Sequence, residues 1–313
     1  MAELRFHVDQ CDAERLTGWA DQDGPLPSLD VFVDDQWVAS LAPTLYRQDL
    51  RDRRIGDGRR GFNLPLRGYL RDRESLIEVK CGERVLHQCA VSSGKAGPPE
   101  QPPSPEALFA RSQERWKRDE PDAGLTWGRP MTGESLWDIY SAVRQFRPSD
   151  HILEIGPGYG RLLQTCLDRN VPFATYTGVE LSPPRVARLS EKYGSEKIRF
   201  VVGDVNNWRG ERPFDVILCS STFEHLYPDC SMALRNLASQ LAPEATVLID
   251  FIAVAGRNTR FEPSGTYVRR YDEDELTALF DGAGLSVRKV RRCTIGEGAR
   301  GDVARSVVVA RSQ

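Results

Sequence analysis

Apolar and polar residues alternate in short runs at the start of the chain. LRFHVD, RLTGWA, LDVFV, QWVASLA, GFNLPL, LIEVKC and RVLHQCA, between Leu4 and Ala90, each read as a strand bounded by turn residues. Leu29, Val31 and Val33 fall on one face at period two, and Asp34-Asp35 stands where a hairpin would turn. This density of short strands predicts an all-β sandwich over residues 1–91.

From Ser92 to Glu106 the run SSGKAGPPEQPPSPE has no apolar period, and its Pro and Gly predict an extended linker over 92–106. PEALFARSQERWKRD and GESLWDIYSAVRQF then show helical spacing. Leu136, Ile139, Val143 and Phe146 share one face, so 107–149 are expected to form a helical cover. From His151 onward strands and helices alternate: HILEIG, RLLQTCLDR, YTGVEL, PRVARLSEKYG, IRFVVGD, FDVILCSS, SMALRNLASQLA, TVLIDFI, EDELTALFDGAG, LSVRKVRR and ARSVVVARS. That order predicts an α/β domain over 150–313, with a mostly parallel sheet closed by an antiparallel C-terminal hairpin.

Length and composition agree with two globular domains: 313 residues, 40% hydrophobic and 28% charged. The formal net charge is only -3 with Lys and Arg dispersed, which argues against nucleic acid as a main partner. No apolar run is long enough for a membrane span, and MAELRFHVDQ lacks the order of a signal peptide, so a cytoplasmic protein is expected. Cysteines at 11, 81, 89, 166, 219, 230 and 293 form no CxxC pair; reduced thiols are expected, with neither a disulfide framework nor a metal site.

The chemistry concentrates in HILEIGPGYGR, where Gly156, Gly158 and Gly160 follow a strand and precede a helix. Such glycines let a ligand approach the main chain and the unpaired N–H groups of a helix start. The spacing is G-x-G-x-G, and Arg161 occupies the place of the third glycine of a dinucleotide fingerprint, which disfavours NAD and FAD. Glu180 ends the next strand, where an acid can accept from a ribose diol; Gly203-Asp204-Val205 ends the following one. FDVILCSSTFEHL then opens into polar residues, so four strand ends converge on one crevice.

This ordered set resembles the class I S-adenosylmethionine-dependent methyltransferases, from about Asp150 to the C-terminus. The resemblance implies a Rossmann-like fold and S-adenosylmethionine as cofactor. It implies cofactor contacts from Glu154, Gly156, Pro157, Gly158, Tyr159, Gly160, Glu180, Leu181, Asp204, Val205, Ser220 and Ser221. Glu154 and the glycine loop would meet the methionine part. Where the acceptor is a hydroxyl, His225 is the candidate base and Glu224 the second choice; a purely architectural role for Glu-His-Leu stays open. Trp127 of the cover and Arg257, Arg260, Tyr267 and Arg269 of a long loop are candidate substrate-binding residues, against ordinary burial or solvation.

In the N-terminal region, Gly18-Trp19-Ala20, Tyr46-Arg47-Gln48-Asp49-Leu50 and GDGRRGF at 56–62 resemble a sandwich module that accompanies bacterial surface-polysaccharide glycosyltransferases. That company implies a glycan hydroxyl as acceptor and glycan-synthesis enzymes as partners. A small-metabolite methyltransferase whose sandwich serves dimerisation, and a non-catalytic assembly protein, are the alternatives.

Overall fold

The computed structural model describes residues 4–70, 74–92, 105–118, 130–252, 258–261, 266–296 and 302–312. The chain divides into two compact units: residues 1–112 with 254–272, and residues 113–253 with 273–313.

In the first unit the alternating runs become β1 (Arg5–Cys11), β2 (Arg15–Asp21), β3 (Leu29–Val33), β4 (Gln36–Leu41), β5 (Leu45–Tyr46), β6 (Arg59–Pro65), β7 (Glu74–Cys81) and β8 (Arg84–Ser92), with a short helix, α1 (Gln48–Asp52). One antiparallel sheet has the order β1-β2-β6-β5, and a second contains β4-β3-β7-β8. Leu16, Ala20, Phe62 and Leu64 of the first sheet share one core with Leu29, Val31, Ile77 and Val79 of the second. Alternation thus puts one face of each sheet inward. Asp34 and Asp35 have φ of 50° and 63°, as a tight primed turn requires. Asp34 Oδ1 accepts the Leu76 N–H at 2.9 Å, which ties that turn to β7.

The thiols depart from expectation. Cys11 of β1 and Cys89 of β8 are joined in a disulfide across a sequence separation of 78. Without a CxxC signature, pairing between strands of two different sheets leaves no local mark in the sequence. Helix α2 (Pro105–Lys117) follows; residues 93–104, most of the expected linker, lie outside the described residues.

The second unit opens with α3 (Pro130–Val143), then runs β9 (His151–Ile155), α4 (Arg161–Asp168), β10 (Thr175–Glu180), α5 (Pro183–Tyr193), β11 (Ile198–Val202), β12 (Phe214–Ser220), α6 (Ser231–Ala238) and β13 (Leu241–Ile252). On α3, Leu136, Trp137 and Tyr140 are fully buried in a core with Ile152, Leu162 and Leu163. The Trp137 indole N–H donates to Leu162 O at 2.8 Å, which fixes α3 on α4. Before β9, Arg144 donates twice to Asp150, at 2.7 and 3.0 Å, and the Arg147 N–H adds a third bond at 2.8 Å.

After β13 the chain contributes β14 (Asn258–Phe261) and β15 (Tyr267–Arg270) to the first unit, then α7 (Glu273–Asp281), β16 (Leu285–Gly296) and β17 (Asp302–Ser312) to the second. The order β11-β10-β9-β12-β13-β17-β16 is parallel from β11 to β13, and β17 and β16 close it antiparallel. This is the expected mostly parallel seven-stranded sheet with its terminal hairpin. The stretch expected as a long loop is different: β14 pairs with β4, extending the second antiparallel sheet to β15-β14-β4-β3-β7-β8. An edge strand offers a row of unpaired N–H and C=O groups, and β14 satisfies those of β4.

Candidate active site

Strand order sets the site. β9 lies between β10 and β12, so the glycine loop that leaves β9 is flanked by the carboxyl ends of both neighbours. The loop is built for close approach. Gly156, Gly158 and Gly160 have φ of 66°, 58° and 81°, where any other residue is strained. A Cβ on Gly156 would stand 2.3 Å from Thr222 Oγ1, so this glycine admits the chain that follows β12. A Cβ on Gly158 would meet nothing within 4 Å. That open space is where a ligand can touch the main chain. Pro157 is buried and stiffens the turn; the Gly156 N–H donates to Val179 O at 2.9 Å and the Gly160 N–H to Pro157 O at 2.8 Å.

Two acids serve the loop from beneath and beside it. Glu154 is 2% exposed, and its Oε2 accepts the Tyr176 hydroxyl at 2.5 Å. Burial pushes its carboxyl up to about 7, against the pull of the Tyr176 hydroxyl and the nearby Arg161 guanidinium. Burial also holds the Tyr140 and Tyr176 phenols well above their ordinary range, so both stay protonated. Arg161, first residue of α4, donates through Nη2 to Ser220 Oγ at the end of β12. Glu180 accepts the Gly158 N–H at 3.0 Å and the Ser182 N–H at 3.1 Å, with Arg185 at 3.8 Å. Leu181 is half-buried beside it.

Asp204 lies two residues past β11 and accepts the Asn206 N–H at 2.9 Å in its own turn. Val205 is buried, and its carbonyl accepts Asn236 Nδ2 at 2.8 Å. Beyond β12, Ser221 takes a φ of 55°, and a short 3-10 helix spans Phe223–His225. Its Glu224 is 2% exposed, whereas the His225 imidazole is half-buried and lies 4.9 Å from the Trp116 ring.

The carboxyl groups of Glu154, Glu180 and Asp204, set against Arg161, Arg185 and the loop N–H groups, suit a ligand bearing an ammonium, a carboxylate and a ribose. S-adenosylmethionine has all three. The acids and glycines expected for it gather at the carboxyl ends of β9, β10 and β11.

The substrate candidates fare differently. Trp127 and Arg257 lie outside the described residues. Arg260 pairs through its backbone with Ala39 and Val268. Tyr267 is a core residue of the first unit: fully buried, edge-on to Phe109 and Phe261, its N–H donating to Ser112 Oγ at 3.0 Å. Arg269 donates to Thr259 Oγ1 at 3.2 Å and lies over the Tyr271 ring. Strand formation at Asn258–Phe261 and Tyr267–Arg270 puts the Tyr267 side chain into the core, so the expected clamp does not form from Tyr267. Sequence reasoning missed Trp116, Tyr176 and Arg185. For Trp116 a signal existed, since Phe109, Ser112 and Trp116 follow helical spacing. Among the described residues, the compact metal-ligand cluster is Cys11, His87 and Cys89 of the first unit, whose two sulfurs are bonded.

Residues 134–290, half of the chain, match the family described as a methyltransferase domain. A malonyl-[acyl-carrier protein] O-methyltransferase of Priestia megaterium is 31% identical over 97 residues, 31% of this chain and 35% of its own length. A trans-aconitate 2-methyltransferase of Klebsiella pneumoniae is 28% identical over 141 residues, 44% of this chain and 51% of its own. The chain therefore spans between a third and a half of the length of these curated relatives. Among solved structures, a 1,6-didemethyltoxoflavin-N1-methyltransferase of Burkholderia thailandensis, with S-adenosylhomocysteine bound, shares the fold: TM-score 0.54 at 20% identity, over 77% of this chain and 96% of that one. Fold, cradle and a family match over half its length agree: this chain belongs to the S-adenosylmethionine-dependent methyltransferases.

Proposed function

We propose that the chain transfers the methyl group to an oxygen, and that the acceptor is a sugar hydroxyl of a bacterial surface glycan or of its nucleotide- or lipid-linked precursor. The observation that carries the oxygen is His225, a half-buried imidazole just past β12, beside the strand ends that frame the glycine loop. An imidazole ordinarily titrates near pH ~6.5, so it accepts a hydroxyl proton at neutral pH. Bound S-adenosylmethionine would supply an electrophilic methyl group whose bond to sulfur breaks as the bond to oxygen forms, and His225 would take the hydroxyl proton. The chain otherwise aligns the reactants and excludes water. Glu154, the Gly156–Gly160 loop with Pro157 and Tyr159, Glu180, Leu181, Asp204, Val205, Ser220 and Ser221 hold the cofactor in this reading. The sugar assignment is supported by the likeness of the N-terminal strands to glycosyltransferase-associated modules, and in this reading the enzyme works in the cytoplasm with glycan-building partners.

A second reading, methylation of a small carboxylic acid, is favoured by the Klebsiella pneumoniae relative named for trans-aconitate. Turnover with methyl-labelled S-adenosylmethionine separates them. Label entering sugar nucleotides or lipid-linked sugars, and lost in His225→Ala, supports the first; label entering only di- and tricarboxylic acids overturns it.

A further inference from the structure

Trp116 lies outside the region that matches the family, residues 134–290. Its indole nevertheless meets both flanks of the crevice. On the β12 side its ring centroid is 4.9 Å from that of His225, tilted by 45°. On the β10 side the Arg185 guanidinium of α5 lies 5.9 Å from the indole centroid. The adjacent Lys117 carbonyl accepts the Ser182 hydroxyl at 3.2 Å. Since β9 runs between β10 and β12, these contacts bridge the strand that feeds the glycine loop. Arg185 also sits 5.2 Å over Tyr159, the large side chain of that loop, and 3.8 Å from Glu180.

Trp116 Nε1 is sealed from solvent and has no hydrogen-bond partner among the described residues. A buried donor without an acceptor is costly, and indole N–H groups in such places ordinarily find one. An oxygen or nitrogen of a bound ligand would supply it.

We propose that Trp116 is the roof of the S-adenosylmethionine site: its indole covers the bound cofactor between α5 and His225, and its N–H donates to it. The inference rests on the glycine loop and Glu180 being the cofactor site. The probe is S-adenosylhomocysteine, titrated into the full chain by calorimetry and by tryptophan emission. Trp116→Phe keeps a ring and loses the N–H, and should bind about 5- to 10-fold more weakly. Trp116→Leu loses the aromatic face as well and should bind about 10- to 100-fold more weakly. The emission change of the wild type should shrink in Trp116→Phe, while its thermal unfolding midpoint stays put.

A Trp116→Leu variant that binds within about twofold of wild type overturns the roof. So does an emission change that persists undiminished in Trp116→Phe, a readout that survives even where the Leu variant does not fold. Glu180→Ala keeps the two readings apart. Lost binding there with normal Trp116 variants overturns the roof alone, and normal binding there overturns the site on which it rests.

Discussion

The Tyr176 hydroxyl donates to Glu154 Oε2 at 2.5 Å, and both side chains are sealed from solvent. The proton stays on the phenol, so the carboxyl is the group of this pair that titrates near neutrality. Its value of about 7 lies above the ordinary 4.5 because burial penalises the charge. Between those two values the folded chain holds a proton that the unfolded chain has released, so stability is greatest below the lower value and falls as pH rises toward the upper one. Denaturant titrations across that window should show a loss of up to about 3 kcal/mol. Glu154→Gln should flatten the slope, and an unchanged slope would reject Glu154 as its source.

The same carboxyl should report the cofactor. A ligand ammonium placed beside Glu154 favours the anion, so binding of S-adenosylhomocysteine near pH 7 should release about half a proton. Calorimetry in buffers of different ionisation enthalpy measures this directly. Glu154→Gln should abolish the release.

Gly156 and Gly158 should fail in different ways when changed to Ala. At Gly156 the new methyl would collide with Thr222 at 2.3 Å, so the variant should lose about 1–3 kcal/mol of stability as well as affinity. At Gly158 the methyl enters open space, so stability should fall by only about 1 kcal/mol, from the positive φ of 58°. Binding should nevertheless drop by about tenfold or more if that space receives the ligand. Thermal unfolding and calorimetry on the two variants make the comparison.

The Cys11–Cys89 bond closes a separation of 78 residues and belongs wholly to the first unit. Converting both to Ser should destabilise that unit by about 2–4 kcal/mol through the freed unfolded chain. Affinity for S-adenosylhomocysteine should not change. A parallel loss of affinity would show that the first unit supports the site.

What the sequence revealed follows from how local each signal is. The glycine loop, Glu180 and Asp204 announce themselves because each is a short motif at a strand end, and the alternating periods delimit nearly every strand. The disulfide partners and the pairing of β14 with β4 depend on residues far apart in the chain. Tyr267 read as an exposed aromatic in a charged loop, yet strand pairing turned it into the core beside Phe109 and Phe261. Trp116 is hard to single out because its helix carries a weak apolar stripe, whereas its neighbours in the site come from residues 185 and 225.

The loan of β14 and β15 to the first unit limits how the gene can be dissected. A fragment starting after the proline-rich stretch lacks β4, leaving β14 with a bare backbone edge in the middle of the catalytic domain's own sequence. Such edges recruit other chains, and a lone two-stranded ribbon is marginal in water. The units are therefore not separable by a single cut. Swapping the methyltransferase domain onto another N-terminal module requires exchanging residues 254–272 along with it.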